Sequence, residues 1–301
     1  MDDVPVIFAE SVRRLNSRQR PYRKFSFRKL SGAFQAAGES LEPNFVNLTL
    51  TMHVSPDSSG IFYEVKASAY CNNIETEQLP LSQLVKRRKF YLTANISINE
   101  AKEDFNFVPW SDPPFLAYVA ILRHFPILGV RDYTLRPNLI YAIFNKHKFL
   151  IDGYFQCPAT FDEEFREFAK FQVENGRIST IKSPEAILHD EDLFRSFLRY
   201  YFGCPGLMSF IITCRNTPGT VVGSKIGLLV DAWTNFPGKM KRRSNDYVMF
   251  FGDMTIPWKS EKVFVRTLED EGKVQYSQSP YSRRVIEHST YGSWLLSFHE
   301  M

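Results

Sequence analysis

The sequence predicts an α/β protein with a mainly parallel sheet, and three observations carry that prediction. From about Leu79 onward a capped amphipathic helix, a short break and an apolar β-type run recur in series. Strands joined through helices pair in parallel when they are neighbours, because each helix returns the chain in a right-handed crossover. Residues 45–71 read instead as an antiparallel hairpin, and after Asp246 the pattern turns to strands alone, so antiparallel pairing is expected near the N-terminal hairpin and at the C-terminal end.

The elements follow in order. Residues 45–54 and 61–71 are β-type runs joined by Ser55-Pro56-Asp57-Ser58-Ser59-Gly60, which is turn chemistry. Residues 79–88 place Leu81, Leu84 and Val85 on one helical face, and 90–98 alternate as a strand does. Pro109, Pro113 and Pro114 mark 99–114 as irregular. Helix and strand then follow at 115–124 and 127–133, and again at 138–146 and 148–156. In 160–175, Phe161, Phe165 and Phe168 share a stripe; Thr160 and Glu163 have capping-box spacing, Asp162, Glu163 and Glu164 suit the positive helix end, and Asn175-Gly176 supplies a stop. The stretch Arg177-Ile178-Ser179-Thr180-Ile181 alternates as a strand. Residues 185–202 read as one helix ended by Gly203-Cys204-Pro205, 207–214 as a strand and 220–235 as a helix stopped by Phe236-Pro237-Gly238. The tail reads as strands at 247–251, 262–267, 273–279, 284–288 and 294–298, with Asp270-Glu271-Gly272 as a turn.

Helix-to-helix distances of roughly 20 to 35 residues overlap the repeat lengths of α/β solenoids. The Leu/Asn signature of the standard leucine-rich repeat is missing. The expected architecture is therefore an irregular, leucine-rich-repeat-like set of helix–strand units with a curved sheet, the alternative being a compact sheet covered on both faces.

The 301 residues are 44% hydrophobic and 15% aromatic, with 27 Phe, which suits a large Phe-rich core. No apolar run approaches the ~20 residues needed to span a bilayer, and the start Met1-Asp2-Asp3-Val4-Pro5 is acidic where a secretory signal is basic. The expectation is an intracellular protein of cytoplasm or nucleus, without a membrane partner. Cys71, Cys157, Cys204 and Cys214 form no CxxC pair, in keeping with reduced thiols. The net charge of +4 resides wholly in residues 1–40, where eight Lys and Arg face four Asp and Glu. That shift suggests a basic, helical N-terminal segment (1–40) ahead of an α/β recognition domain (41–301).

No catalytic residue, metal ligand or cofactor site emerges. Gly219-Thr220-Val221-Val222-Gly223-Ser224-Lys225-Ile226 looks like a phosphate loop, but it has three residues between its glycines where the Walker pattern has four, and Ile226 where a hydroxyl would hold magnesium. It reads as a helix start with close-packing glycines. The six histidines are dispersed without zinc spacing, and Cys204 is the only thiol whose position hints at reactivity. Two basic runs follow the N-terminal one: Lys86-Arg87-Arg88-Lys89 at a helix end, where cations are favoured, and Lys239-Met240-Lys241-Arg242-Arg243 in a loop. Arg13, Arg14, Arg23, Lys24, Lys241, Arg242 and Arg243 form the candidate basic patch, which suits an acidic protein surface or, as an alternative, nucleic acid. An enzyme of unrecognised class is a further alternative.

Behind Asp3 and Pro5, the residues Val4, Phe8, Val12 and Leu15 lie on one face of a short amphipathic helix suited to a partner groove. The opening Asp2-Asp3-Val4-Pro5-Val6-Ile7-Phe8-Ala9-Glu10-Ser11-Val12 resembles the DxVPxxFxxxV start of a group of nematode F-box and F-box-associated proteins. Phe161-Asp162-Glu163-Glu164-Phe165-Arg166-Glu167-Phe168-Ala169 with Asn175-Gly176-Arg177-Ile178, and the tail around Tyr291-Gly292-Ser293-Trp294-Leu295, are similar to that group as well. The resemblance implies an F-box-like module for the Skp-type adaptor of a cullin–RING ubiquitin ligase, followed by a recognition domain. An F-box normally opens with Leu-Pro and continues through three apolar helices, whereas residues 16–27 here are basic.

Overall fold

The computed structural model describes residues 12, 32–41, 46–69, 77–78, 80, 82, 91–102, 105–203, 209–214, 217–234, 247–251, 265–270, 273–277, 284–289 and 293–300. Two compact units divide the chain, Met1–Asp152 and Gly153–Met301. The helix expected over 79–88 lies outside the described residues, apart from Pro80, which is not helical, and Ser82, which is.

In the first unit, α1 (Gly32–Leu41) carries the small buried pair Ala33 and Ala37 against Phe34. The hairpin is as expected: β1 (Val46–Val54) pairs antiparallel with β2 (Gly60–Ala69). Its tip is built by side chains. Ser55 Oγ donates to Asp57 Oδ1 at 2.6 Å, Ser59 donates its N–H and Oγ to the same oxygen, and Ser58 takes a left-handed φ of 58°. These donors hold the Asp57 carboxyl down at about 2. The two-residue β3 (Glu77–Gln78) and β5 (Val108–Pro109) pair antiparallel with β2. On the other side of β1, β4 (Tyr91–Glu100) pairs in parallel, and β6 (Ile127–Asp132) pairs in parallel with β4.

Helix α2 (Pro113–Leu122) connects those last two strands and buries Phe115, Val119 and Leu122. Asp112 caps it by accepting from Phe115 N at 3.0 Å and also accepts from Tyr63 Oη at 3.2 Å, so one carboxylate ties the helix start to β2. Burial and that carboxylate push the Tyr63 hydroxyl up to about 12. Helix α3 (Ile140–His147) rests on a buried network in which Asp132 accepts from Thr134 and from Tyr141 Oη at 2.7 Å. The expected strand at 148–156 starts only at β7 (Ile151–Gln156), because Lys148 adopts φ 51° and closes the helix with its N–H on Asn145 O.

The unit division falls inside β7, whose residues Tyr154–Gln156 pair in parallel with β8 (Thr180–Ser183). Between them runs α4 (Glu163–Asn175), two residues shorter at its start than the Phe stripe predicts. The cap is Asp162, which accepts from Phe165 N at 2.8 Å, and not Thr160; Phe161 stands before the helix, half-buried and stacked on Phe165 at 4.8 Å. Phe165 and Phe168 are fully buried against Phe155 of β7. The helix ends at Gly176, whose N–H bonds Gln172 O at 2.7 Å and where an added Cβ would meet that same oxygen at 2.6 Å.

The single helix expected over 185–202 is a 3₁₀ turn, Glu185–Leu188, followed by α5 (Glu191–Gly203). Asp190 makes the break: Oδ1 accepts from Leu193 N at 3.1 Å as a cap, while Oδ2 accepts from Arg166 Nε at 2.7 Å. Next, β9 (Ser209–Thr213) pairs in parallel with β8, and α6 (Gly219–Thr234) leads to β10 (Tyr247–Phe251), parallel to β9. The tail reverses direction as expected. From β10 outward the order is β14 (Ser293–Glu300), β13 (Arg284–Ser289), β12 (Lys273–Ser277) and β11 (Val265–Asp270), all antiparallel.

Each unit is therefore an α/β structure whose helix-linked strands pair in parallel. Burial alternates along most of these strands, the departures being Thr93 of β4, Gly129 of β6 and Ser209 of β9, each buried next to a core residue. In β1, Leu48, Leu50, Met52 and Val54 are buried while Asn47, Thr49, Thr51 and His53 are half-buried; in β7 Ile151 and Phe155 contrast with Tyr154 and Gln156. Parallel strands covered on both faces read as continuous apolar runs. These alternate, so their helices cover one face.

Candidate functional site

Of the candidate partner-binding and basic-patch residues, only Val12 is described; it is helical and half-buried. Val4, Phe8 and Leu15 lie outside the described residues, as do Arg13, Arg14, Arg23, Lys24, Lys241, Arg242 and Arg243.

The phosphate-loop look of residues 219–226 resolves as the start of α6. Lys225 is buried with its Nζ over the Phe194 ring at 5.5 Å, which places it in the helix layer. Just before the helix, Thr217 Oγ1 donates to Glu185 Oε2 at 3.0 Å, so a carboxylate from the chain itself sits beside this start. Burial, together with Glu185, pushes the Cys214 thiol up to about 12 and makes it a poor nucleophile. Cys204 lies outside the described residues. The acidic cluster at α4 is accounted for by the Asp162 cap and by Glu163, 3.7 Å from Arg166. Among the described residues no group of His, Cys, Asp and Glu has the arrangement of a metal site.

What the fold does assemble is the sheet face away from the helices. Ring contacts fix which face the helices cover: Tyr63 meets Phe115, Phe155 meets Phe165 and Phe168, and Phe210 meets Phe194 and Phe197. The period of two sends the intervening residues to the other face.

In the first unit that face carries rows set by register. Lys66, Thr49 and Asn95 form one, Glu64, Thr51, Ser97 and Arg131 the next, and Phe62, His53 and Asn99 a third. Lys66 and Glu64 pair at 2.7 Å, and Asn99 Nδ2 donates to Ser97 Oγ at 3.3 Å. At the carboxyl end Phe105 stacks on Phe62 at 4.5 Å and packs against His53 at 4.7 Å. In the second unit one row is Tyr154, Thr180, Ser209 and Tyr247, and the next is Gln156, Lys182, Ile211 and Met249. Tyr154 Oη donates to Gln156 Oε1 at 3.1 Å, and Ser209 Oγ to Thr180 Oγ1 at 3.0 Å. Thr213 and the exposed Phe251 lie in the row beyond.

Hydroxyls, amides and aromatic edges on a rigid sheet can hydrogen-bond and pack against a polypeptide while losing little conformational freedom of their own. None of these residues belongs to a reactive constellation, so no motif marks them in the sequence. Their signal was the alternation itself, as in Asn47-Leu48-Thr49-Leu50-Thr51-Met52. No helix among the described residues is long and apolar enough to cross a membrane. No protein-family model, curated protein or solved structure matches this chain.

Proposed function

We propose that the chain is a non-catalytic protein-interaction module of leucine-rich-repeat-like architecture that receives its partner on the open sheet face. The observation that supports this is the one-sided cover. Within each unit the helix-linked strands are laid down in chain order, with buried apolar residues toward the helices and mostly polar, half-buried ones away from them, Thr93 and Ser209 being buried and Ile211 and Met249 apolar. Successive right-handed crossovers that advance in one direction leave helices on a single face, as solenoids do. The finer reading, a substrate receptor of a cullin–RING ubiquitin ligase, rests on the F-box-like resemblance of the opening sequence and on the apolar stripe Val4, Phe8, Val12 and Leu15.

The test is Phe8→Asp in the full chain. An unpaired charge in a docking groove is costly, so co-purification of a Skp-type adaptor with the unmutated protein should be lost in the variant while its thermal unfolding midpoint stays put. If the unmutated protein brings down no such adaptor, the ligase reading falls and the interaction module remains.

A further inference from the structure

We propose that the open face of the second unit takes an acidic polypeptide segment, anchored on Lys182. The inference rests on the interaction reading above and names the chemistry of the partner. Lys182 projects from β8 on the face away from the helices, since its neighbours Ile181 and Ser183 are buried while it is half-buried. It makes no ion pair or side-chain hydrogen bond among the described residues. Across the strands it stands between Gln156 and Ile211, with Thr180 two residues before it.

The eight residues Tyr154, Thr180, Ser209, Tyr247 and Gln156, Lys182, Ile211, Met249 contain one charge, and among the described residues no carboxylate pairs with it; continued outward by register, the first row reaches Glu287 four strands from β8. Glu185, the next acid along the chain, accepts from Thr217. The first unit differs, because its open face holds Lys66 paired to Glu64. An ammonium whose strand neighbours are uncharged gains from a carboxylate brought by a partner, since docking lowers the local dielectric and strengthens the pair. The two tyrosines and Met249 offer flanking apolar area for the segment's other side chains. Nucleic acid is the poorer fit, since it needs several phosphate contacts and a basic stripe, whereas these rows hold a single lysine.

The test is selection of 12-residue peptides from a random displayed library on the full chain, followed by affinity measurement with the selected peptides at two salt concentrations. The expected result is enrichment of Asp and Glu, binding that weakens with salt, and an affinity loss of at least tenfold in Lys182→Glu. Lys182→Met, which keeps the apolar stem and guards against a folding artefact, should lose less. Selected peptides without acidic enrichment, whose binding survives Lys182→Glu but is lost in Tyr247→Arg, would overturn the acidic partner and leave the open-face reading standing. Peptides indifferent to both changes would overturn both readings. Tighter binding of a 20-nucleotide oligothymidine than of any selected peptide would overturn the proposal in favour of a phosphate backbone.

Discussion

Phe165 shows how a single residue couples the helix layer to the sheet. It is fully buried, its N–H is capped by Asp162, and its ring packs on Phe155 and under Phe161. Truncation to Ala removes a large aromatic from a filled site, so Phe165→Ala should cost about 3–5 kcal/mol. Phe161→Ala should cost less, because Phe161 is half-buried and precedes the helix. Urea midpoints of the two variants check this, and equal losses would mean that Phe161 is core in its own right. The apolar stripe was legible in the sequence. The helix start was not, since Thr160 and Asp162 are both cap-forming residues and only the fold decides which one faces a free N–H. Lys148 is similar: glycine or asparagine would have announced the left-handed helix end, and a lysine in that conformation (φ 51°) carries no sequence signal.

At the scale of elements, most helix and strand positions followed from periodicity, and the errors lie at ends and joints. The break between the 3₁₀ turn and α5 was invisible because the apolar pattern runs through it, while Asp190, whose carboxylate serves both Leu193 and Arg166, enforces it. The ends of α2 and α3 carry a consequence for pH. His147 closes α3 with its Nδ1 buried and without a hydrogen-bond partner among the described residues, and burial, with Arg123 and Lys146 nearby, holds its pKa below the usual 6.5. The folded protein therefore resists protonation more than the unfolded chain does, so stability is complete above pH 6.5 and declines as pH falls below it, until the folded form titrates too. His147→Gln should flatten that decline in urea midpoints recorded from pH 7.5 to 5. Asp57 titrates in a separate window: its carboxylate contribution is present above 3.8 and is lost as pH falls through about 2.

For the whole molecule, the sequence carried the class and the parallel pairing, because serial helix–strand order restricts topology. The candidate binding face was not found as a site, since it is made of ordinary hydroxyls and amides that acquire meaning only when register lines them up across strands. Its one-sided character makes a prediction that a sheet covered on both faces would fail. Adjacent positions of one strand should respond oppositely to a charge. Ile181→Asp places a carboxylate among buried residues facing the helices and should unfold the second unit or lower its stability by several kcal/mol, whereas Thr180→Asp on the open face should change it little. The same contrast is expected between Ile96→Asp and Ser97→Asp in the first unit. Thermal unfolding of the four variants decides the matter. If both members of a pair unfold the protein, something covers the second face, and the surface on which the interaction reading depends is not free. If only the isoleucine variants unfold, that face tolerates charge, as a surface open to a partner must.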